Sequence, residues 1–256
     1  MTALAVTLVS QAALGTVVSK PVSWELGKTK FEGFLVYDDA VKAARPGLVA
    51  VPNWMGVTPA AVKQVEGLVG QRYVVLVADV YGKDVRPKNG DEAGKAAGAL
   101  KGDRKLLRER MNKALAVLEE QGKKVPLAPG KRGAFGFCFG GTAAIELARS
   151  GANVGGVVSF HGGLDSPTPA DGKNIKAKIL ALHGADDPFN PAKDVEAFEE
   201  ELRAAKVDWQ LVKYGGAVHS FTDVDANMPG KAQYDAKTTK RATAAMNDFF
   251  TELFGS

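Results

Sequence analysis

Five short apolar runs, at residues 47–51, 74–79, 133–137, 154–160 and 179–182, are separated by segments of helical periodicity. Each run is too short for a helix and too continuously apolar for a strand with one wet face, so each reads as a strand buried on both faces. The segments between them supply helices. Residues 59–70 begin with Thr58 as N-cap and Pro59 at the first helical position. Residues 104–121 place Leu107, Met111, Leu115 and Leu118 on one face. Residues 142–149 and 192–205 give two more helices, 209–214 a last strand, and 231–254 a closing helix. Such alternation predicts an α/β architecture with a mostly parallel central sheet and helices on both faces. Residues 19–26 and 31–37 flank the turn Gly27-Lys28 and predict an antiparallel pair at the N-terminal edge. The polar stretch 82–101 reads as a surface loop, and its place after a strand makes it a candidate pocket rim.

Composition narrows the function classes. The 256 residues suit one large α/β domain, assigned to 19–256. The net charge of +4 comes from 33 basic and 29 acidic residues that are interspersed, so no dense Lys/Arg run marks a nucleic-acid footprint. A single cysteine, Cys138, rules out an intramolecular disulfide and a Cys-rich zinc site. The three histidines, His161, His183 and His219, show no HExxH-type metal spacing. Residues 1–18 form an N-terminal segment that is small and apolar from Ala3 to Gly15, like the hydrophobic part of an export signal. No Lys or Arg precedes it, so a short lead-in segment is the competing reading. Localisation is accordingly cytoplasmic, or periplasmic or secreted if the segment is an export remnant. No other stretch is long and apolar enough to span a bilayer.

The sharpest local signal is Gly136-Phe137-Cys138-Phe139-Gly140-Gly141, between a predicted strand and a predicted helix. With serine at the centre, this G-x-C-x-G spacing is the nucleophile elbow of α/β-hydrolases. The turn is so tight that side chains two residues either side of the nucleophile would meet backbone, and glycine removes the collision. The elbow raises the nucleophile to the N-terminus of the next helix, where the dipole and free N–H groups favour a thiolate and later an oxyanion. An inert, buried structural cysteine is the competing reading.

On this fold the acid and then the base follow the nucleophile in the chain. Leu182-His183-Gly184-Ala185-Asp186-Asp187-Pro188 lies at a predicted strand's carboxyl end. Asp186 and Asp187 compete as the acid. The HGxxDP…P pattern with Pro191, which hydrolases of this type show, selects Asp187. After the last strand come Gly215-Gly216-Ala217-Val218-His219, with His219 as general base toward Cys138. His183 reads as structural, and His161, at another strand end, as a pocket-lining candidate. Oxyanion donors are expected from the backbone N–H of Phe139 and of Trp54, in the loop after the third strand.

Together these pieces resemble the dienelactone hydrolase (carboxymethylenebutenolidase) family of α/β-hydrolases. The likeness rests on GFCFGG at 136–141, ADVYGK at 78–83, LHGADDP at 182–188 and AVHSF at 217–221, with FEGFLVYDDA at 31–40 and YDAKTTKRA at 234–242. It covers roughly residues 19–254. The resemblance implies a Cys138-Asp187-His219 triad that hydrolyses small esters or lactones through a thioester, with no cofactor and no metal. The expected partner is a small-molecule substrate, not nucleic acid or membrane, and the chain is expected to be a monomer or weak homodimer. A non-catalytic ligand-binding relative and a thioesterase or acyltransferase are the alternatives. Two departures stand out. Asn53 occupies the place of a family glutamate that assists thiol activation. Of two arginine places that hold a substrate carboxylate, Lys83 matches one and Asp223 stands near the other, which argues against dienelactone itself as substrate.

Overall fold

The computed structural model describes residues 16–70 and 72–255 of the chain. Most of the expectation for an export remnant falls on residues 1–15, outside the described residues. Strands β1 (Val17–Leu26) and β2 (Thr29–Asp38) form the antiparallel edge pair around Gly27-Lys28. Then follow β3 (Arg45–Val51), α1 (Pro59–Val69), β4 (Val74–Val77), α2 (Gly90–Gly102), α3 (Arg104–Gln121), β5 (Leu127–Phe137), α4 (Phe139–Arg149) and β6 (Gly156–Phe160). The chain continues through a short 3-10 turn, β7 (Lys178–Gly184), α5 (Ala192–Ala204), β8 (Trp209–Tyr214), β9 (Asn227–Met228), β10 (Ala232–Gln233) and α6 (Ala236–Phe254).

Eight strands make one sheet in the order β1-β2-β4-β3-β5-β6-β7-β8, with β9 and β10 as a separate pair. β1–β2 and β2–β4 are antiparallel, and every later pairing in the large sheet is parallel. Alternation along β3 divides the core. Val49 and Val51 face a layer built with Leu107, Met111 and Leu118 of α3, Ala144 and Leu147 of α4, and Phe198 of α5. Leu48 and Ala50 face Val62, Val65 and Val69 of α1 and Phe249, Phe250 and Phe254 of α6. Each fully buried Leu or Phe contributes about 1.5–3 kcal/mol over its exposed state. The carboxyl ends of β3, β5, β7 and β8 therefore open into loops set on a sheet packed on both faces.

Two readings of the sequence need correction. Residues 82–101 are not all loop: α2 occupies their second half. Its cap was present in the sequence. The Asn89 side chain accepts from Glu92 N–H, and Glu92 accepts in return from Lys88 N–H. Gly90, Gly94, Gly98 and Gly102, each unfavourable by about 1 kcal/mol in a helix, hide it from a propensity reading. The closing helix starts at Ala236, not at 231, because the Asp235 side chain accepts from Thr238 N–H and ends the preceding loop.

One buried ionic hub lies away from the sheet's carboxyl edge. Arg149, wholly buried, donates from Nε and Nη2 to the two carboxylate oxygens of Glu201 at 2.9 and 2.6 Å, and from Nη1 to Glu146 at 2.8 Å. The bidentate fork ties α4 to α5 and satisfies charges that would be costly unpaired.

Candidate active site

The turn from β5 into α4 holds Cys138 at φ 54° and ψ −120°, a region that side-chain-bearing residues rarely occupy. Such a conformation costs about 1–3 kcal/mol and persists only where neighbours impose it. Here they do. A Cβ on Gly136 would lie 2.1 Å from the Gly140 carbonyl oxygen, and one on Gly140 would lie 2.0 Å from that of Val51. Only glycine lets the first turn of α4 sit against the end of β3. The Cys138 N–H is held by Phe160 O at 3.0 Å and His161 Nδ1 at 3.2 Å. The thiol itself is half-buried.

Two further loops, after β7 and β8, meet at that thiol through His219. His219 Nε2 lies 3.0 Å from Cys138 Sγ, and its Nδ1 lies 2.8 Å from Asp187 Oδ2. Asp187 is buried after β7 and accepts further bonds from Asn190 Nδ2 at 2.9 Å and Phe189 N–H at 2.8 Å. Asp186 is exposed and its side chain makes none of these contacts. The His219 backbone is fixed by a bridge to Ala232, donating to Lys231 O and accepting from Gln233 N–H. The pair β9–β10, absent from the sequence reading, is thus what pins the histidine loop.

Electrostatics match this geometry. Burial alone pulls the His219 imidazole down, but the bonds and charges of Asp187 and Cys138 outweigh it and push it up to about 10. Burial also raises Asp187, yet the bond and charge of His219, aided by Asn190 and the Phe189 N–H, hold it below the ordinary carboxylate value. The site can therefore hold an imidazolium between a carboxylate and the sulfur. That arrangement can keep a thiol ready to attack a carbonyl and can return a proton to a leaving group.

The two expected oxyanion donors lie in the turn after β3 and at the start of α4. Phe139 opens α4, so its N–H is one of the helix's free donors. Trp54 sits in the turn after β3, where Met55 N–H and Gly56 N–H are taken by Asn53 and the Trp54 N–H has no partner among the described residues. Tyr81, which sequence reasoning did not assign, fixes this turn: its hydroxyl donates to Trp54 O at 3.0 Å and its ring stacks on Phe139 at 5.4 Å. Its only signal was the ADVYGK segment. The Tyr81 loop is in turn held by Asp79, which accepts from Tyr81 N–H and pairs with Arg86 at 3.1 Å. The Trp54 ring rests on α2 over Gly90 and Gly94, so the unrecognised helix is the seat of this loop.

The other expected site residues are placed as follows. Asn53 is half-buried, and its Nδ2 donates to Asp223 Oδ2 at 3.1 Å, joining the turn after β3 to the His219 loop. Lys83 is exposed, with its N–H donating to Lys30 O on β2. His161 does not line the pocket as expected. It is 1% exposed and lies beneath the elbow. Its Nδ1 accepts from Cys138 N–H, so Nε2 carries the proton toward Thr222 Oγ1 at 2.8 Å. Burial, with the charge of His219, keeps it well below the usual histidine range and hence neutral. His183 is buried at the end of β7, likewise lowered by burial.

The comparisons with known proteins point to one family. The dienelactone hydrolase family model matches residues 31–254. An uncharacterized Caenorhabditis elegans protein is 36% identical over 156 residues, covering 58% of this chain and 94% of its own. A putative carboxymethylenebutenolidase of Aquifex aeolicus is 25% identical over 90% of this chain and 96% of its own. The crystal structure of a dienelactone hydrolase-like promiscuous phosphotriesterase from metagenomic libraries superposes with a TM-score of 0.88, at 36% identity, over 94% of this chain and all of that one. With an eight-stranded α/β-hydrolase sheet, a cysteine at the elbow and a family match across most of its length, this chain belongs to the dienelactone hydrolase family and is a carboxylic ester or lactone hydrolase.

Proposed function

We propose that the chain hydrolyses small esters or lactones by covalent catalysis at Cys138, with His219 as acid–base and Asp187 as its orienting acid. The supporting observation is the unbroken Cys138–His219–Asp187 chain of contacts at 3.0 and 2.8 Å. The Cys138 thiolate attacks the substrate carbonyl, forming an S–C bond and a tetrahedral oxyanion facing the N–H groups of Trp54 and Phe139. Collapse breaks the C–O bond, and His219 gives its proton to the leaving alkoxide, leaving a thioester. His219 then takes a proton from water. The hydroxide adds to the thioester, the acid leaves, and the thiolate returns. Asn53 takes no proton in this scheme. Its amide is committed to Asp223 and to Met55 N–H, so thiol activation rests on His219.

The test is cleavage of a short-chain p-nitrophenyl ester while Cys138 is alkylated by iodoacetamide, with the adduct located by mass spectrometry. Activity should fall in step with alkylation, and Cys138→Ala should be inactive yet folded. Full activity in that variant would overturn the mechanism. A second reading extends the same thiol to phosphotriesters, favoured by the 36% identity to the promiscuous phosphotriesterase. Turnover of a dialkyl aryl phosphate, lost in Cys138→Ala, would support it.

A further inference from the structure

Two features around the thiol remain unused by that mechanism. The first is a set of exposed apolar side chains on the loops that carry the site or beside them: Trp54 at 41% exposure, Phe189 at 57%, Val224 at 70% and Met228 at 55%. Each is tied to the site. Trp54 belongs to the oxyanion turn. The Phe189 ring packs edge-on against His219 at 5.2 Å. Val224 follows Asp223, and Met228 belongs to the strand pair that fixes the His219 backbone. Large apolar groups left in water around a reactive centre mark a surface that takes apolar ligand.

The second feature is the Asp223 carboxylate. It is half-buried, four residues after His219, and its Oδ2 is anchored by Asn53 Nδ2 while Oδ1 accepts from Asp225 N–H. The anchor matters, because Asn53 adjoins Trp54 and the end of β3 abuts the first turn of α4. The neighbouring Thr222 hydroxyl lies 2.8 Å from His161 Nε2, and His161 in turn holds Cys138 N–H. Asp223 is therefore a fixed negative charge that bridges the turn after β3 and the His219 loop, next to the Thr222–His161 link to Cys138 N–H. None of its hydrogen-bond partners carries a compensating positive charge.

Resting on the hydrolase reading above, we infer that the site takes uncharged esters or lactones with an apolar acyl or leaving group, and that Asp223 makes it reject substrates bearing a carboxylate near the scissile bond. These exposed apolar side chains receive the uncharged group. A substrate carboxylate entering between Trp54 and the His219 loop meets Asp223 with its two hydrogen-bond donors, the Asn53 amide and the Asp225 N–H, already engaged and both uncharged. Within a Debye length, one like charge at an effective dielectric between that of water and that of a protein interior costs about fivefold in rate.

The experiment compares wild type with Asp223→Asn, in which the new amide oxygen can still accept from Asn53. Two matched pairs of probes are used: mono-p-nitrophenyl adipate against its methyl ester, and iodoacetate against iodoacetamide as alkylators of Cys138. The expected result is that wild type prefers the neutral ester, and that Asp223→Asn raises the anionic-to-neutral ratio about fivefold for both the ester and the alkylation pair. In wild type alone, the same ratios should rise as salt is added, which requires no variant to fold. Ratios unchanged by both Asp223→Asn and salt would overturn the inference. The alkylation pair reads charge at the thiol without turnover. Loss of the triad mechanism would instead appear as ester cleavage that survives in Cys138→Ala.

Discussion

Replacing Asp187 by Asn perturbs the site with the least change of shape. Asp187 accepts three hydrogen bonds: Oδ1 from Phe189 N–H, Oδ2 from His219 Nδ1 and Asn190 Nδ2. An asparagine has only one accepting oxygen. With its NH₂ on the Phe189 side, two donors face each other. With its NH₂ on the His219 side, it opposes Asn190 and can face His219 only when Nδ1 is unprotonated, which removes the imidazolium that accompanies the thiolate. Either arrangement leaves a buried donor unpaired, at about 1–3 kcal/mol of stability. The loss of charge also removes one of the influences that push His219 up to about 10. Ester cleavage should fall on the order of 10³-fold in kcat/KM, somewhat less than the about 10⁴-fold of serine triads, because a thiol needs less help from its base. The assay is steady-state hydrolysis of a p-nitrophenyl ester alongside thermal unfolding and the pH dependence of Cys138 alkylation. Activity within tenfold of wild type, with an unchanged alkylation profile, would refute the assignment of Asp187 as the orienting acid.

Four further outcomes are expected. The raised pKa of His219 contributes stability that is complete below 6.5 and lost as pH rises toward 10, while the lowered Asp187 contributes stability lost as pH falls below 3.8. Unfolding temperature should therefore decline between pH 7 and 10 in wild type, with a flatter alkaline limb in Asp187→Asn. Gly98→Ala, on an exposed turn of α2 with nothing within 4 Å of the new methyl, should stabilise by about 0.5–1 kcal/mol in denaturant titrations. Gly136→Ala should destabilise by about 3 kcal/mol or more, because its Cβ meets the Gly140 carbonyl at 2.1 Å, and soluble yield or unfolding midpoint reads this directly. Arg149→Leu should cost about 3–5 kcal/mol, since it strands Glu201 in the interior and takes from Glu146 one of its three arginine partners, and a midpoint near wild type would contradict the hub.

The sequence carried the framework of this molecule because its signals are local. The apolar runs, the Thr58 cap and the contact of Gly136 with Gly140 across the elbow each act through neighbours a few residues away. The meeting of Cys138 with Asp187 and His219 was legible for a different reason: on this fold, chain order after the elbow fixes which strand ends are adjacent. What escaped was long-range or disguised. The α2 helix hid behind its glycines. The β9–β10 pair has only two residues per strand, too few for periodicity to show. His161 looked like a rim residue because it ends a strand. Its positive φ and its bonds to Cys138 and Thr222 instead turn it inward, and they depend on a threonine sixty-one positions away. The Asn53–Asp223 bond, spanning 170 positions, has no local signature at all.

The glycine seat of Trp54 has a practical consequence. An added Cβ at Gly90 would come to 3.5 Å from the indole and one at Gly94 to 3.9 Å, ordinary contact distances. The helix thus works as a shim: alanine would touch the ring without moving it, and each larger side chain would lift one edge of the indole by a further increment. A ladder of substitutions at Gly94, remote from every reacting atom, would dial the width of the substrate mouth in graded steps while the thiol, its base and its acid stay where the sheet has put them.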